Sequence, residues 1–518
     1  MRWMTIGLCV LACLGLAVGA GADGEMTRAN LVDPAVEDFT APKPIQVGEE
    51  IAFTLQSPEF LGGLVAGRND LVWSEEIAYP EATYIAPHFS NFDLPEGAYL
   101  VVRDPENVRS WTYQGGEDLG KERANGFWGI HISGPKAVLE LHSSVALPEG
   151  AVTLDSFAHG FSELDATPGD TEALCGTDDS GWAKCYQSSE PTIYSESRAV
   201  ARLLINGTSA CTGWLVGSEG HVMTNEHCIG GSSAAANTNF EFMAEGSSCS
   251  TSCASWGACS GTVVATSSTL VKLNAGLDYA LVKLPTNPTG TYGYMQMRNS
   301  TPSVNERIYI PQHPAHWGKK IAVFSSHSSD GSGYAEIYSL SRPACSGSGS
   351  DIGYYADTQG GSSGSPVLAY SDHLVVSLHH CANCPNRGVP ITSIISDLGS
   401  SVPADAIGSG GGPPPTGGCP SGYTSHTGSI SNGQSIVVSQ GSASGTIIGE
   451  LDGTATDLDL YLDVESCSWW SCSWSNVDSG TSPDSTETVN YSGSSGTYRW
   501  RVVSYSGSGT YELCVNQP

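Results

Sequence analysis

Short runs in which apolar and polar residues alternate recur at both ends of the chain. In Ala98-Tyr-Leu-Val-Val-Arg103, Ser110-Trp-Thr-Tyr113 and Ala137-Val-Leu-Glu-Leu141, successive side chains would face opposite sides of a sheet, the period of a half-buried strand. These runs predict an antiparallel β-domain, a sandwich or jelly roll, over residues 23–171. The pattern returns in Gln434-Ser-Ile-Val-Val-Ser, Asp457-Leu-Asp-Leu-Tyr-Leu-Asp463, Gly496-Thr-Tyr-Arg-Trp-Arg-Val-Val503 and Gly509-Thr-Tyr-Glu-Leu-Cys514. A second β-domain, a sandwich, is therefore expected over 419–518. It is separated by Gly408-Ser-Gly-Gly-Gly-Pro-Pro-Pro-Thr-Gly-Gly418, within a 401–418 linker that is flexible at its glycines and stiffer at its prolines.

Residues 1–22 differ from all of this. A basic start, an apolar stretch and a small-residue end at Ala20-Gly-Ala22 read as an export signal. Val10-Leu-Ala-Cys13 faintly suggests a lipid-attachment site, but the apolar stretch runs past it, so lipidation ranks second. No later segment is long and apolar enough to span a bilayer as a helix.

At 518 residues the chain holds several domains, and its 14% charged content with abundant Gly, Ser and Thr suits a β-rich exported protein. A formal net charge of −31 argues against nucleic acid as a partner. Of 16 cysteines, two lie in the signal, ten between Cys175 and Cys384 and four between Cys419 and Cys514. Even numbers in each region fit disulfides within domains in an oxidising compartment.

Three segments between the β-domains carry chemistry. In Asp357-Thr-Gln-Gly-Gly-Ser-Ser-Gly-Ser-Pro366, small residues flank Ser363, so the backbone can turn tightly and aim the N–H groups of Gly361 and Ser363 at one point, an oxyanion hole. In Cys211-Thr-Gly-Trp…Thr224-Asn-Glu-His-Cys228, a Cys211–Cys228 disulfide would pin the loop carrying His227, a candidate general base. In Gly276-Leu-Asp-Tyr-Ala-Leu-Val-Lys-Leu284, Asp278 stands at the entrance of a strand, where a carboxylate could fix the tautomer of an imidazole. Singly, each has a plain structural reading: a core histidine, a strand cap, a turn serine. Together, in the order His227, Asp278, Ser363, they read as a catalytic triad.

From about Leu174 to Leu398 the chain resembles the secreted bacterial peptidases of the chymotrypsin fold, the lysyl and glutamyl endopeptidase group. The resemblance rests on the segments above, on Ile310-Pro-Gln-His-Pro-Ala-His-Trp-Gly-Lys-Lys-Ile321 and on Val375-Val-Ser-Leu-His-His380. It implies an all-β fold: a chymotrypsin-like double β-barrel peptidase over 172–400, flanked by an N-terminal β-domain and a C-terminal β-sandwich. It also implies a secreted serine endopeptidase acting on proteins or peptides through an acyl-serine intermediate, a monomer exported in the bacterial manner. In the group the segment with His313 and His316 is structural, so neither receives a catalytic role. Trypsin-type zymogens switch on through an Asp just before the nucleophile; Ser362 stands there instead, and that ion pair is not available. The 23–171 domain becomes a propeptide that assists folding and masks the cleft, or an accessory domain that is retained. The last domain is similar to the pre-peptidase C-terminal domain of many secreted bacterial proteases.

Substrate choice leans to basic residues, with Glu as the alternative. Asp357 occupies the position at which trypsin-like enzymes place the carboxylate at the base of the S1 pocket, which favours Lys or Arg at P1. The same Asp-Thr-x-Gly-Gly lead-in occurs in glutamyl endopeptidases, where a histidine placed like His379 helps bind a P1 carboxylate. A degenerate peptidase fold serving as a binding protein is the alternative outside catalysis. For metals, His379-His-Cys-Ala-Asn-Cys384 offers ligands in a row, but a structural zinc site needs a second matching pair, and no metal or cofactor is expected at the catalytic site. Asp457 and Asp459 offer carboxylates for structural calcium in the C-terminal domain, against the plainer reading of a solvated strand face.

Overall fold

The computed structural model describes residues 42–62, 70–117, 123, 126–162, 174–345, 349–408, 419, 423–453, 457–467, 472–481, 486–507 and 509–517. The export signal and the 409–418 part of the linker lie outside the described residues. The fold is mostly β, a peptidase region with β-sheet domains on either side.

The N-terminal domain is two antiparallel sheets over one core. One contains the strands Gly48–Gln56, Val152–Gly160, Tyr84–Phe92 and Phe127–Trp128; the other contains Asp70–Ala78, Lys136–Ser143, Ala98–Arg103 and Ser110–Gln114. Alternation does what the sequence implied: Ala98, Leu100 and Val102 are buried while Tyr99, Val101 and Arg103 are half-buried on the other face. Leu139 and Leu141 join them against Ile85, Phe89, Leu154 and Phe157 of the opposite sheet. Each such buried side chain contributes about 1.5–3 kcal/mol of transfer free energy.

In the peptidase region, strands from Val200–Ile205 through Ser209–Val216, His221–Thr224 and Tyr279–Lys283 form the heart of one sheet. A second sheet carries Ile308–Gln312, Pro366–Ala369, Val375–Cys381, Asn386–Pro390 and Ser350–Tyr354. Their central strands are buried on both faces, as in the unbroken burial of Val200–Ile205 and Val375–Cys381. That explains why they lack the alternating pattern seen at the ends of the chain. Trp214, Phe240 and Leu281 of the first sheet share a core with Tyr309, Leu368 and Leu378 of the second.

The C-terminal domain is one six-stranded antiparallel sheet. Its long strands Ser435–Gly453 and Glu487–Ser506 pair along most of their length, with a register shift between Ala443 and Gly445. Gly445 has φ +77°, a left-handed conformation that glycine adopts without strain. Ile447, Leu460, Trp500 and Leu513 converge on a single core, so the sandwich is built by one bent sheet.

The N-terminal domain docks on the first peptidase sheet. Ile45 and Gln46 pair antiparallel with Ala210 and Ser209, extending that sheet by a short strand. Val47, Tyr84, Ala86, Trp128 and Ala158 bury an apolar patch against Leu204 and Ala210. Polar groups in the contact are matched: Tyr84 Oη donates to Gly207 O at 2.9 Å, and the N–H groups of Trp128 and His131 donate to Asn237 Oδ1 and Asn239 Oδ1.

Among the described residues, seven disulfides each join cysteines of one domain. No helix among them is long and apolar enough to cross a membrane.

Candidate active site

Strand pairing places the first two members of the site. The strand Tyr279–Lys283 pairs with His221–Thr224, with Ala280 opposite Thr224. Asp278, just before the one, therefore meets the residues just after the other. Asn225 donates its side-chain amide to Asp278 O at 2.8 Å and helps hold Asp278 at φ +44°, a left-handed conformation that Asp tolerates better than most residues. The carboxylate then receives His227 twice: main-chain N at 3.0 Å on Oδ1 and Nδ1 at 2.8 Å on Oδ2. With Nδ1 donating, Nε2 of His227 is the basic nitrogen, and it has no hydrogen-bond partner among the described residues.

Ser363 lies in the turn that leads into the strand Pro366–Ala369 of the second sheet and is fastened to the first. Its carbonyl accepts from Thr212 N at 2.9 Å, and Thr212 Oγ1 donates to Gly361 O at 2.8 Å. Cys211 and Cys228 form a disulfide with a Cα–Cα distance of 6.2 Å, and Cys228 Sγ lies 4.0 Å from Ser363 O. One covalent bridge thus backs both the loop of His227 and the turn of Ser363.

The turn around Ser363 holds itself. Ser362 is fully buried; its N–H donates to Gln359 O and its Oγ accepts from Gln359 N. Gly361 and Gly364 have φ +93° and +87°. A Cβ at Gly364 would also collide with Thr212 O and Thr224 Oγ1, so no other residue fits. The carbonyl of Gly360 accepts from Ala315 N at 2.5 Å. In a trans peptide the N–H of Gly361 then points away from that loop. His313 and His316 pack in this loop, both fully buried, and burial pushes their imidazoles well below the ordinary range.

Asp357 is buried and faces main chain: Oδ1 accepts from Cys175 N at 2.9 Å and Oδ2 from Asp179 N at 2.7 Å. Burial raises its carboxyl, against the pull of these two donors. Next in the chain, Thr358 Oγ1 is buried without a hydrogen-bond partner among the described residues, and so is Nε2 of His379. His379 sits on the strand that grips the turn around Ser363, through Gly364 N to His379 O and His379 N to Ser365 O, both 2.9 Å. Its Nδ1 is 2.7 Å from Tyr354 Oη, and burial pushes the imidazole down to about 3.

Sequence reasoning missed Thr212, Thr358, Asp351 and His380. The last was visible only as a neighbour of His379 in a cysteine-rich run. That run is committed elsewhere: Cys381 bonds to Cys345 and Cys384 to Cys175, and His380 lies between two carboxylates. Asp459 in the C-terminal domain is buried and accepts from Tyr461 Oη at 3.1 Å.

Residues 211–378 match the family described as a trypsin-like peptidase domain. Secreted RxLR effector protein 73 of Plasmopara viticola is 43% identical over 332 residues, covering 61% of this chain and 79% of that protein. Among solved structures, a Glu endopeptidase in complex with MPD is 17% identical over 44% of this chain and 100% of its own, with a TM-score of 0.30. Deg5 is 16% identical over 42% and 96%, with a TM-score of 0.31. The oomycete relative corrects one expectation: the likeness is to trypsin-like peptidases, and neither the bacterial group nor bacterial export is what the match supports.

Proposed function

This chain belongs to the family of secreted RxLR effector protein 73 and carries a trypsin-like peptidase domain over residues 211–378, and on that premise we propose that it is a secreted serine endopeptidase. His227 Nε2 takes the Ser363 Oγ proton as the oxygen attacks the scissile carbonyl, and the N–H groups of Gly361 and Ser363 hold the oxyanion. His227 then gives the proton to the leaving amine. Water, activated in the same way, releases the acyl group and restores Ser363. The observation that carries the reading is the 2.8 Å contact of His227 Nδ1 with Asp278 Oδ2, on a loop bridged to the strand that also fastens Ser363. Fluorophosphonate labelling of the secreted protein, abolished in Ser363→Ala, is the test. A protein that does not label is a binding protein on a peptidase fold. Secretion accords with the disulfides and with the relative, which is named as secreted.

For specificity we favour an acidic P1 residue over a basic one. The Asp357 oxygens are already occupied by main-chain donors, whereas Thr358 Oγ1 and His379 Nε2 are buried without a hydrogen-bond partner among the described residues. With Tyr354 Oη donating to Nδ1, the neutral His379 carries its proton on Nε2, suited to a P1 carboxylate. Matched Glu, Lys, Arg and Phe amide substrates decide it: a preference for Lys or Arg overturns the assignment.

The 23–171 domain acts in this reading as a propeptide. Its support is position, since the Ile45–Gln46 strand pairs with Ala210 and Ser209 and the Ile45 side chain abuts Gly360, next to the proposed oxyanion hole.

A further inference from the structure

The acceptor capacity of Asp278 is not exhausted by His227. Oδ2, which takes Nδ1 of His227 at 2.8 Å, lies 3.1 Å from Nδ1 of His380. On its far side, His380 Nε2 lies 3.0 Å from Asp351 Oδ2. All three side chains are nearly inaccessible, at 1% for His380, 3% for Asp278 and 4% for Asp351. A buried imidazole between two carboxylates donates from both nitrogens, which requires the imidazolium. Asp351 is itself positioned: its Oδ2 accepts Cys345 N at 3.1 Å, and Cys345 is bonded to Cys381, the residue after His380.

The line Asp351, His380, Asp278, His227 also crosses the molecule. Asp351 and His380 belong to strands of the second peptidase sheet, and the turn of Ser363 leads into the strand Pro366–Ala369 of the same sheet. Asp278 and His227 flank strands of the first. We infer that His380 is a positioning residue of the hydrolytic reaction, a second donor to Asp278 that ties the His227–Asp278 half of the site to the Ser363 half and holds a positive charge behind the carboxylate. This rests on the peptidase reading above.

The groups facing His380 account for its charge. Burial alone would depress the imidazole, but the hydrogen bonds and charges of Asp278 and Asp351 outweigh it and push it up to about 9. Neighbouring His379 stays neutral, and Tyr354 is held protonated by burial. Burial would raise Asp278, yet the donors His227 and His380 hold it well below the usual carboxylate range. When His227 accepts the Ser363 proton, one carboxylate must then serve two imidazolium ions. Loss of the His380 charge therefore weakens the hold on ionised Asp278 and should restrict activity at low pH.

The test is the pH dependence, between pH 5 and 9, of fluorophosphonate labelling of Ser363 and of dye-labelled casein digestion, in the full chain and in two variants. His380→Asn keeps a donor near the Nδ1 position and removes the charge; His380→Ala removes both. The acid limb of His380→Asn is expected to move about one pH unit upward, and its kcat to fall less than that of His380→Ala. His380→Ala should lose roughly 30- to 100-fold in kcat at unchanged KM, the scale of a misplaced catalytic group. An unshifted acid limb in His380→Asn overturns the inference, and that variant alone decides if His380→Ala does not fold. A parent protein that never labels refutes the peptidase reading. A parent that labels, beside a variant with an unshifted limb, refutes only the role of His380.

Discussion

Ile45 and Gly360 meet where the N-terminal domain reaches the nucleophile turn: a Cβ built on Gly360 would stand 2.9 Å from Ile45 Cδ1. The contact is apolar, and Ile45 pairs its main chain with Ala210 in the same place. If this strand covers the leaving-group side of the cleft, then Ile45→Asp, which puts a solvated charge into the contact, should raise the rate of fluorophosphonate labelling about tenfold. An unchanged rate would show that the strand does not obstruct the site.

Asp278→Asn should leave the fold intact and lower kcat by about four orders of magnitude, because the amide cannot fix the His227 tautomer that leaves Nε2 basic. Steady-state kinetics together with a thermal melt check both halves of this expectation.

Asp357→Asn should act on stability more than on specificity. Its carboxylate ties the main chain at Cys175 and Asp179. Loss of charge-assisted bonds of this kind costs about 1.5–3 kcal/mol. A lower urea midpoint with an unchanged ranking of P1 substrates is expected. Thr358→Val should instead reduce kcat/KM for a Glu substrate about tenfold or more and spare a Phe substrate.

Stability should fall on the alkaline side. A histidine raised to about 9 stabilises the fold fully below its unfolded value near 6.5, and that contribution disappears as pH rises through about 9. The loss is on the order of 3 kcal/mol. Urea titrations at pH 7 and pH 10 should show this decline in the parent and a smaller one in His380→Asn.

Selective loss of the Cys211–Cys228 bridge, in a Cys211→Ser, Cys228→Ser double variant, should cost about 2–5 kcal/mol. Activity should fall further than stability, since the same bridge backs His227 and Ser363. Activity at the parental level in this variant would contradict that arrangement.

What the sequence disclosed depended on range. Strands such as Ala98–Arg103 were legible because one buried face and one half-exposed face repeat within a few residues. His227, Asp278 and Ser363 each stand in a local motif with its own spacing, and their order supplied the rest. By contrast, the partners of Asp357 lie 182 and 178 positions away at Cys175 and Asp179, and nothing local announces them. His380 was overlooked for the same reason, as its two carboxylates are 102 and 29 positions distant. The cysteines beside it drew attention to metal chemistry, although they are joined in disulfides.

Ser362 closes the nucleophile turn with bonds to Gln359 from within the same turn. The catalytic loop therefore needs no newly cut chain end to complete it. If the 23–171 domain is removed as proposed, maturation is a matter of clearing a passage, and the point of cleavage ahead of the peptidase region is free to drift. Ragged amino termini, and different processing proteases in different settings, should all yield equally competent enzyme.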